Sequence, residues 1–200
     1  MEPVIARRDF DRAERLLNRA EAISPDRPWP CIERSSAYEF ADRLDDALAA
    51  ARRSLEIHPW FRPGVQSVAH LLIRQDRDRE ALAFLTEADA HLESGLVAAQ
   101  LAALQTDLGH YADAQRTLAR YAELSPVMEP EVAKWLAARR ADAAYFLGEP
   151  AAAARFAREV KDEFYDRFAE RLEAPQPAPL PEATGERAPP PAGNGSGVSL

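Results

Sequence analysis

Cysteine is almost missing from this chain: Cys31 is the only one in 200 residues. A lone cysteine excludes an intramolecular disulfide and any zinc site built from several thiolates. Lysine is nearly as scarce, with two against 23 arginines, a bias that points to a GC-rich, bacterial gene. No run approaches 18 consecutive apolar residues, so no segment is long enough to span a membrane. The opening Met1-Glu-Pro-Val-Ile-Ala-Arg-Arg lacks the apolar core of a signal peptide, and a cytoplasmic setting is expected. A basic excess is also lacking: the formal charge is -8 and the pI about 5.1, which argues against nucleic acid as a partner.

Glycine is rationed in an informative way. Only Gly64, Gly95, Gly109 and Gly148 precede residue 180, and all four interrupt stretches of helical periodicity. Each is expected to supply the left-handed backbone that ends a helix. Pro25, Pro28, Pro30, Pro59, Pro63, Pro126, Pro130 and Pro150 fall between the same stretches or in first helical turns. Alternating strand patterns and Asn-Gly or Asp-Gly hairpin signals are absent. The expected body is all-α.

Beyond residue 173 the composition changes. Seven of the 16 prolines and four of the eight glycines lie there, in Ala-Pro-Gln-Pro-Ala-Pro-Leu-Pro and Pro-Pro-Pro-Ala-Gly-Asn-Gly-Ser-Gly. Such a segment has too little apolar surface to offset its ordering entropy. Residues 174–200 are expected to be a disordered tail or linker.

What remains is periodic. Ala13, Ala47, Ala81 and Ala114 recur at spacings of 34, 34 and 33 residues. Four residues after each stand Leu17, Ala51, Leu85 and Leu118; twelve after stand Pro25, Pro59, Glu93 and Pro126. The preceding helix of each later unit also carries a small residue: Ser35, Ala69 or Ala102. Small residues at a crossing let two helices approach closely. A repeat of this length made of helix-turn-helix units is the mark of a helical solenoid.

Leu108-Gly109-His110-Tyr111, Ala114, Leu118 and Pro126 resemble the turn and second helix of the tetratricopeptide repeat. The resemblance covers most of residues 9–160 and implies a right-handed superhelical solenoid of antiparallel helix pairs. Departures are the small or aliphatic Cys31, Val65 and Ala98 where a large aromatic is usual, Tyr121 in place of a small residue, and Glu93 in place of proline. The expected division is an N-terminal half-repeat with only a second helix (1–27), three helix pairs (28–127), a degenerate pair plus a capping helix (128–173), and the tail (174–200). The first helix of the degenerate pair is expected to be long, over about 129–147.

The resemblance further implies that first helices line a concave groove for a protein or peptide partner. By register those positions are Trp29, Ile32, Ser36, Glu39 and Phe40, then Gln66, His70, Ile73 and Arg74, then Ala99, Ala103, Thr106 and Asp107. Ile32/Ser36, Gln66/His70 and Ala99/Ala103 stand where some members carry Lys and Asn to grip a terminal carboxylate, so no such clamp is expected. The uncapped face of the first helix, around Leu16, implies a missing upstream segment, the favoured expectation, or self-association through the open end.

No constellation suggests catalysis. Cys31 follows Pro28-Trp29-Pro30 near a helix start, yet has no neighbouring His in sequence and occupies a packing position. His58, His70, His91 and His110 show no metal-ligand spacing. Asp45, Asp46, Asp76 and Asp78 read as helix starts, where negative charge is favoured. No enzyme activity, cofactor or metal is expected, and the function implied is a non-catalytic interaction scaffold. An alternative is an accessory repeat region of a larger bacterial enzyme. Glu131-Val-Ala-Lys-Trp-Leu and Phe164-Tyr-Asp-Arg-Phe-Ala-Glu-Arg-Leu172 resemble, in general character, regions that precede a papain-like peptidase domain. At the C-terminal end Phe164, Phe168 and Leu172 form one apolar stripe, expected to seal the stack.

Overall fold

Helical periodicity becomes a series of α-helices in the computed structural model, which describes residues 10–174. Helix α1 (Phe10–Ile23) is followed by α2 (Trp29–Phe40), α3 (Leu44–Ile57), α4 (Arg62–Arg74), α5 (Asp78–His91), α6 (Gly95–Asp107) and α7 (Tyr111–Leu124). Helices α8 (Pro130–Phe146), α9 (Pro150–Val160) and α10 (Glu163–Glu173) complete the set. Among the described residues there is no strand. The proposed 174–200 tail lies almost wholly outside the described residues, as do residues 1–9.

Pairing follows chain order, each helix packing on the next. A second set of contacts decides the shape: α2 touches α4, α4 touches α6, and α6 touches α8. The backbones of α3, α5, α7 and α9 make no comparable series of close approaches among the described residues; long side chains bridge them instead, Arg52 to Glu80 at 2.6 Å and Arg120 to Asp89. Alternate helices therefore crowd on one side and splay on the other. The wall made by α2, α4, α6 and α8 is the inner, concave one.

Four turns inside the pairs share one construction. Asp42, Asp76, Gly109 and Gly148 all have left-handed backbones, with φ of 58°, 58°, 77° and 76°. In each, the following amide donates back to a carbonyl five residues earlier: Arg43 to Tyr38 (2.9 Å), Arg77 to Leu72 (2.9 Å), His110 to Gln105 (2.8 Å) and Glu149 to Ala144 (2.9 Å). This closes the helix end by satisfying carbonyls that have no further intrahelical partner. Aspartate tolerates the left-handed region at a cost that glycine does not bear. Asp76→Gly is accordingly expected to stabilise the chain by about 0.5–1 kcal/mol, as measured by urea denaturation. A loss of stability would show that the aspartate side chain does more than occupy the turn.

The other two glycines behave differently from the sequence expectation. Gly64 and Gly95 lie within the first turns of α4 and α6, and neither has a positive φ. Close approach explains Gly64: a Cβ there would fall 2.3 Å from Ser54 Oγ and 2.8 Å from Leu55 Cδ2. Ser54 is itself buried, its hydroxyl donating to the Ala51 carbonyl at 2.6 Å. Sequence alone did not distinguish a helix-ending glycine from one that lets two helices touch.

Small side chains at the crossings are sealed. Ala47, Ala81, Ala114, Ala69 and Ala102 have no exposed surface, and Ser35 almost none. Around them the main core joins α3 to α6 through Leu48, Val65, Val68, Leu71, Leu72, Leu85, Val97 and Leu101. A second cluster joins α6, α7 and α8 through Ala98, Ala102, Leu118, Tyr121 and Leu136. A third, of Ala141, Ala154, Ala157 and Ala169, ties α8 and α9 to α10.

The ends differ from the middle. Helix α1 meets α2 largely through polar contacts: Tyr38 donates to Glu14 at 2.7 Å, and Arg34 reaches Asn18 at 2.9 Å and Glu21 at 3.0 Å. Ala13 is only half-buried, unlike its three equivalents, while Leu16 and Ile23 are exposed. At the other end, Asp162 caps α10 by accepting from the Phe164 amide at 2.9 Å. The buried face of α10 is Ala169, flanked by half-buried Tyr165, Phe168 and Leu172. Phe164 is 70% exposed and stands apart from the stripe assigned from sequence. Spacing by fours follows a row that drifts round a helix of 3.6 residues per turn, so Phe164 leaves the contact that Phe168 and Leu172 keep.

Candidate functional site

Side chains on the concave wall are held by contacts between successive inner helices. Glu39 on α2 accepts from Arg74 Nη1 on α4 at 2.9 Å and meets His70 Nε2 at 2.7 Å through the same oxygen. Asp107 on α6 pairs with Arg139 on α8 at 3.2 Å. Between these ion pairs lies an uncharged stretch, where Gln100 Nε2 donates to the Gln66 carbonyl at 3.3 Å. Pro63, Gln66, Ser67, His70 and Gln100 line a shallow hollow of about 470 Å³ there. The Gln100 Oε1 acceptor has no partner among the described residues.

The positions assigned from sequence divide into three groups. Gln66, His70 and Arg74 on α4, with Glu39 on α2, come together on this wall. Trp29 and Phe40 are exposed at opposite ends of α2; the Trp29 ring meets Phe61 edge-on at 5.3 Å. Ser36 is half-buried and Asp107 is exposed. Ile32 and Thr106 are buried, and the Thr106 hydroxyl is spent on the Ala102 carbonyl of its own helix at 2.8 Å. Ile73 packs against the main core. Ile32 shares the repeat position of Gln66, and Ile73 and Thr106 that of Glu39, so register identifies the inner helix but not which side chains on it stay open.

Gln100, Ser67 and Arg139 were missed. Gln100 is 34 residues after Gln66, the spacing of the first repeats, whereas Ala99 came from the 33-residue spacing of the next. Following the longer spacing reaches it. Arg139 lies in the stretched unit, where no fixed spacing applies.

Cys31 is buried, and burial raises its thiol pKa, the reverse of what a nucleophile needs. No cluster of three His, Cys, Asp or Glu able to hold a metal occurs among the described residues. His91 stacks on Trp60 with ring centroids 4.2 Å apart.

Asp142 on α8 is the group whose ionisation burial opposes most plainly. Desolvation raises its pKa, and the nearby Arg139 charge offsets only part of that. Burial, and then the Asp142 charge, raise the pKa of Tyr165 on α10 as well. A carboxyl with a raised folded pKa binds its proton more tightly when folded. Its stabilising contribution is complete below the unfolded pKa, about 3.9, and is lost as pH rises through the folded value. At neutral pH the charged form therefore costs stability. Asp142→Asn is expected to raise the melting temperature near pH 7 and to leave it unchanged near pH 3. Identical melting of the two proteins near pH 7 would show a well-solvated carboxylate.

No family model and no curated protein matches this chain. Solved structures do. A structure of Pseudomonas aeruginosa PilF is 18% identical with a TM-score of 0.65, over 82% of this chain and 75% of that one. YrrB, described as a TPR protein with an unusual peptide-binding site, is 17% identical with a TM-score of 0.53, over 78% and 88%. A chain of the APC/C hetero-tetramer Cut9–Hcn1 is 16% identical with a TM-score of 0.58; the match covers 77% of this chain but only 29% of that one. At these identities the likeness speaks to the backbone alone. The chain has the all-α superhelical solenoid fold of tetratricopeptide-repeat proteins.

Proposed function

We propose that this chain is a non-catalytic interaction scaffold whose concave wall receives an extended segment of a protein partner. The observation that carries the reading is the open, uncharged stretch between two ion pairs, with Gln66 and Ser67 presenting amide and hydroxyl groups beside the Gln100–Gln66 bridge. Such groups suit a peptide backbone, which offers one donor and one acceptor at most residues. The packed helices on which these groups sit are already stacked before any partner arrives, so little ordering of the wall is needed on binding. YrrB, which shares the fold, is described as having a peptide-binding site, and that supports the same reading here.

On this reading residues 28–127 supply most of the wall, residues 128–173 extend it, and 1–27 flank it. A peptide-display library selected on the full chain provides the test. Peptides enriched in the selection are expected to lose at least about tenfold in affinity, or about 1.4 kcal/mol, on Gln66→Arg, measured by calorimetry. Arg79→Ala, on the outer helix α5, is expected to leave affinity unchanged. Binding that is indifferent to Gln66 and abolished at Arg79 would place the partner on the outer surface and end this reading.

A further inference from the structure

Six of the sixteen aromatic side chains form one unbroken strip at the C-terminal end of the stack. From Phe164 it runs to Tyr165 (5.4 Å), Phe168 (6.5 Å), Tyr145 (5.4 Å), Phe146 (5.3 Å) and Tyr111 (4.5 Å), joining α10 to α8 and α7. Phe164, Phe146 and Tyr145 are 70%, 60% and 48% exposed. Packing within the stack does not require this, because Ala169 makes the buried contact of α10. Contiguous exposed rings of this kind mark a contact surface. The strip shares α8 with the concave wall but none of the residues that line its hollow, so this inference does not rest on the function proposed above.

We infer that the strip is the docking site of this chain's own proline-rich segment, residues 175–181. Three observations single out that occupant. Polyproline segments dock on aromatic-lined grooves because their backbone is already extended and loses little entropy. Pro175-Gln-Pro-Ala-Pro-Leu-Pro181 has that composition and follows α10 directly. Ala174 leaves the helix at φ -63° and ψ 141°, the geometry of a polyproline strand.

Length agrees. At about 3.1 Å per residue, residues 175–181 span about 20 Å, longer than the 11-residue α10 at about 1.5 Å per residue. Beside the rings, Phe164, Arg167, Phe168 and Arg171 help line a hollow of about 280 Å³. Tethering makes the encounter intramolecular, so a contact too weak to form between free molecules is populated.

The test uses the full chain in solution. Nuclear Overhauser contacts are expected from the Leu180 methyls and the proline rings to Phe164 and Tyr145, and they persist on dilution. In the double variant Phe164→Ala/Tyr145→Ala these contacts disappear while the helical circular dichroism is retained, because neither ring is a core residue. Glutamyl endopeptidase is then expected to cut after Glu182 about tenfold faster, the change for a segment docked nine-tenths of the time. Tail resonances identical to those of a free peptide of residues 175–191 would overturn the inference. Contacts found only between differently labelled molecules would overturn it too, by assigning the strip to a second copy.

Discussion

Leu85→Ala is expected to destabilise the folded chain by about 2–5 kcal/mol, the range for removing a sealed leucine from a packed interior. Leu85 has no exposed surface and sits on α5 in the cluster that joins α3 to α6. Backbone crossings hold its neighbours in place, so the space left cannot collapse fully and the lost contacts are not replaced. In a chain of this size each kcal/mol shifts the melting temperature by about 2–4 °C. Urea denaturation gives the free energy directly. A change below about 1 kcal/mol would mean that α4 and α6 close the gap, and that the repeat is more plastic than its packing implies.

Ala81→Phe acts in the opposite sense, and its effect is expected to be at least as large. Ala81 has no exposed surface, and small residues stand at the matching places on α3 and α7. Inserting extra carbons at a close crossing forces side chains off their rotamers or moves backbones apart, typically at about 1–3 kcal/mol and sometimes more. A phenyl ring is far larger than the few methylenes behind those figures. The inner helix α4 would be pushed off α5, and because each pair stacks only on its neighbours the damage passes to the next unit. Loss of a cooperative unfolding transition, or recovery of the chain only in an aggregated form, is the expected result. A variant that melts like the parent would show that the crossing has room, and the argument from small residues would fall with it.

Both experiments probe positions that were legible before any coordinates. The alanines at spacings of 34, 34 and 33 marked the crossings, and Leu85 and Leu118 four residues on marked the core. They were legible because a helix presents residues i and i+4 on one face, and because a stacked repeat demands the same face in every unit. The glycines were legible only in part. Gly109 and Gly148 end helices as their positions suggested, but Asp42 and Asp76 do the same work in two earlier pairs, and Gly64 serves a close approach.

Less of the candidate site could be read. Glu39, Gln66, His70 and Arg74 were placed on the inner wall by register, and their side chains meet there. Ile32, Ile73 and Thr106 were placed by the same register and face the interior. Spacing does not separate them, because Ile32 shares the repeat position of Gln66, and Ile73 and Thr106 that of Glu39. Gln100 was reached only by the longer of two spacings that local sequence did not separate.

The sequence by itself determined a stack of paired helices, because periodicity, breaks and small residues are local and repeat from unit to unit. Only the tertiary structure decided which flank of each inner helix is open, that ion pairs from Glu39 and Asp107 tie neighbouring units, and that six distant rings form one strip. No single spacing links residues 111, 145, 146, 164, 165 and 168 across the three helices. What joins them is the angle at which α7, α8 and α10 pack, a property of three helices together.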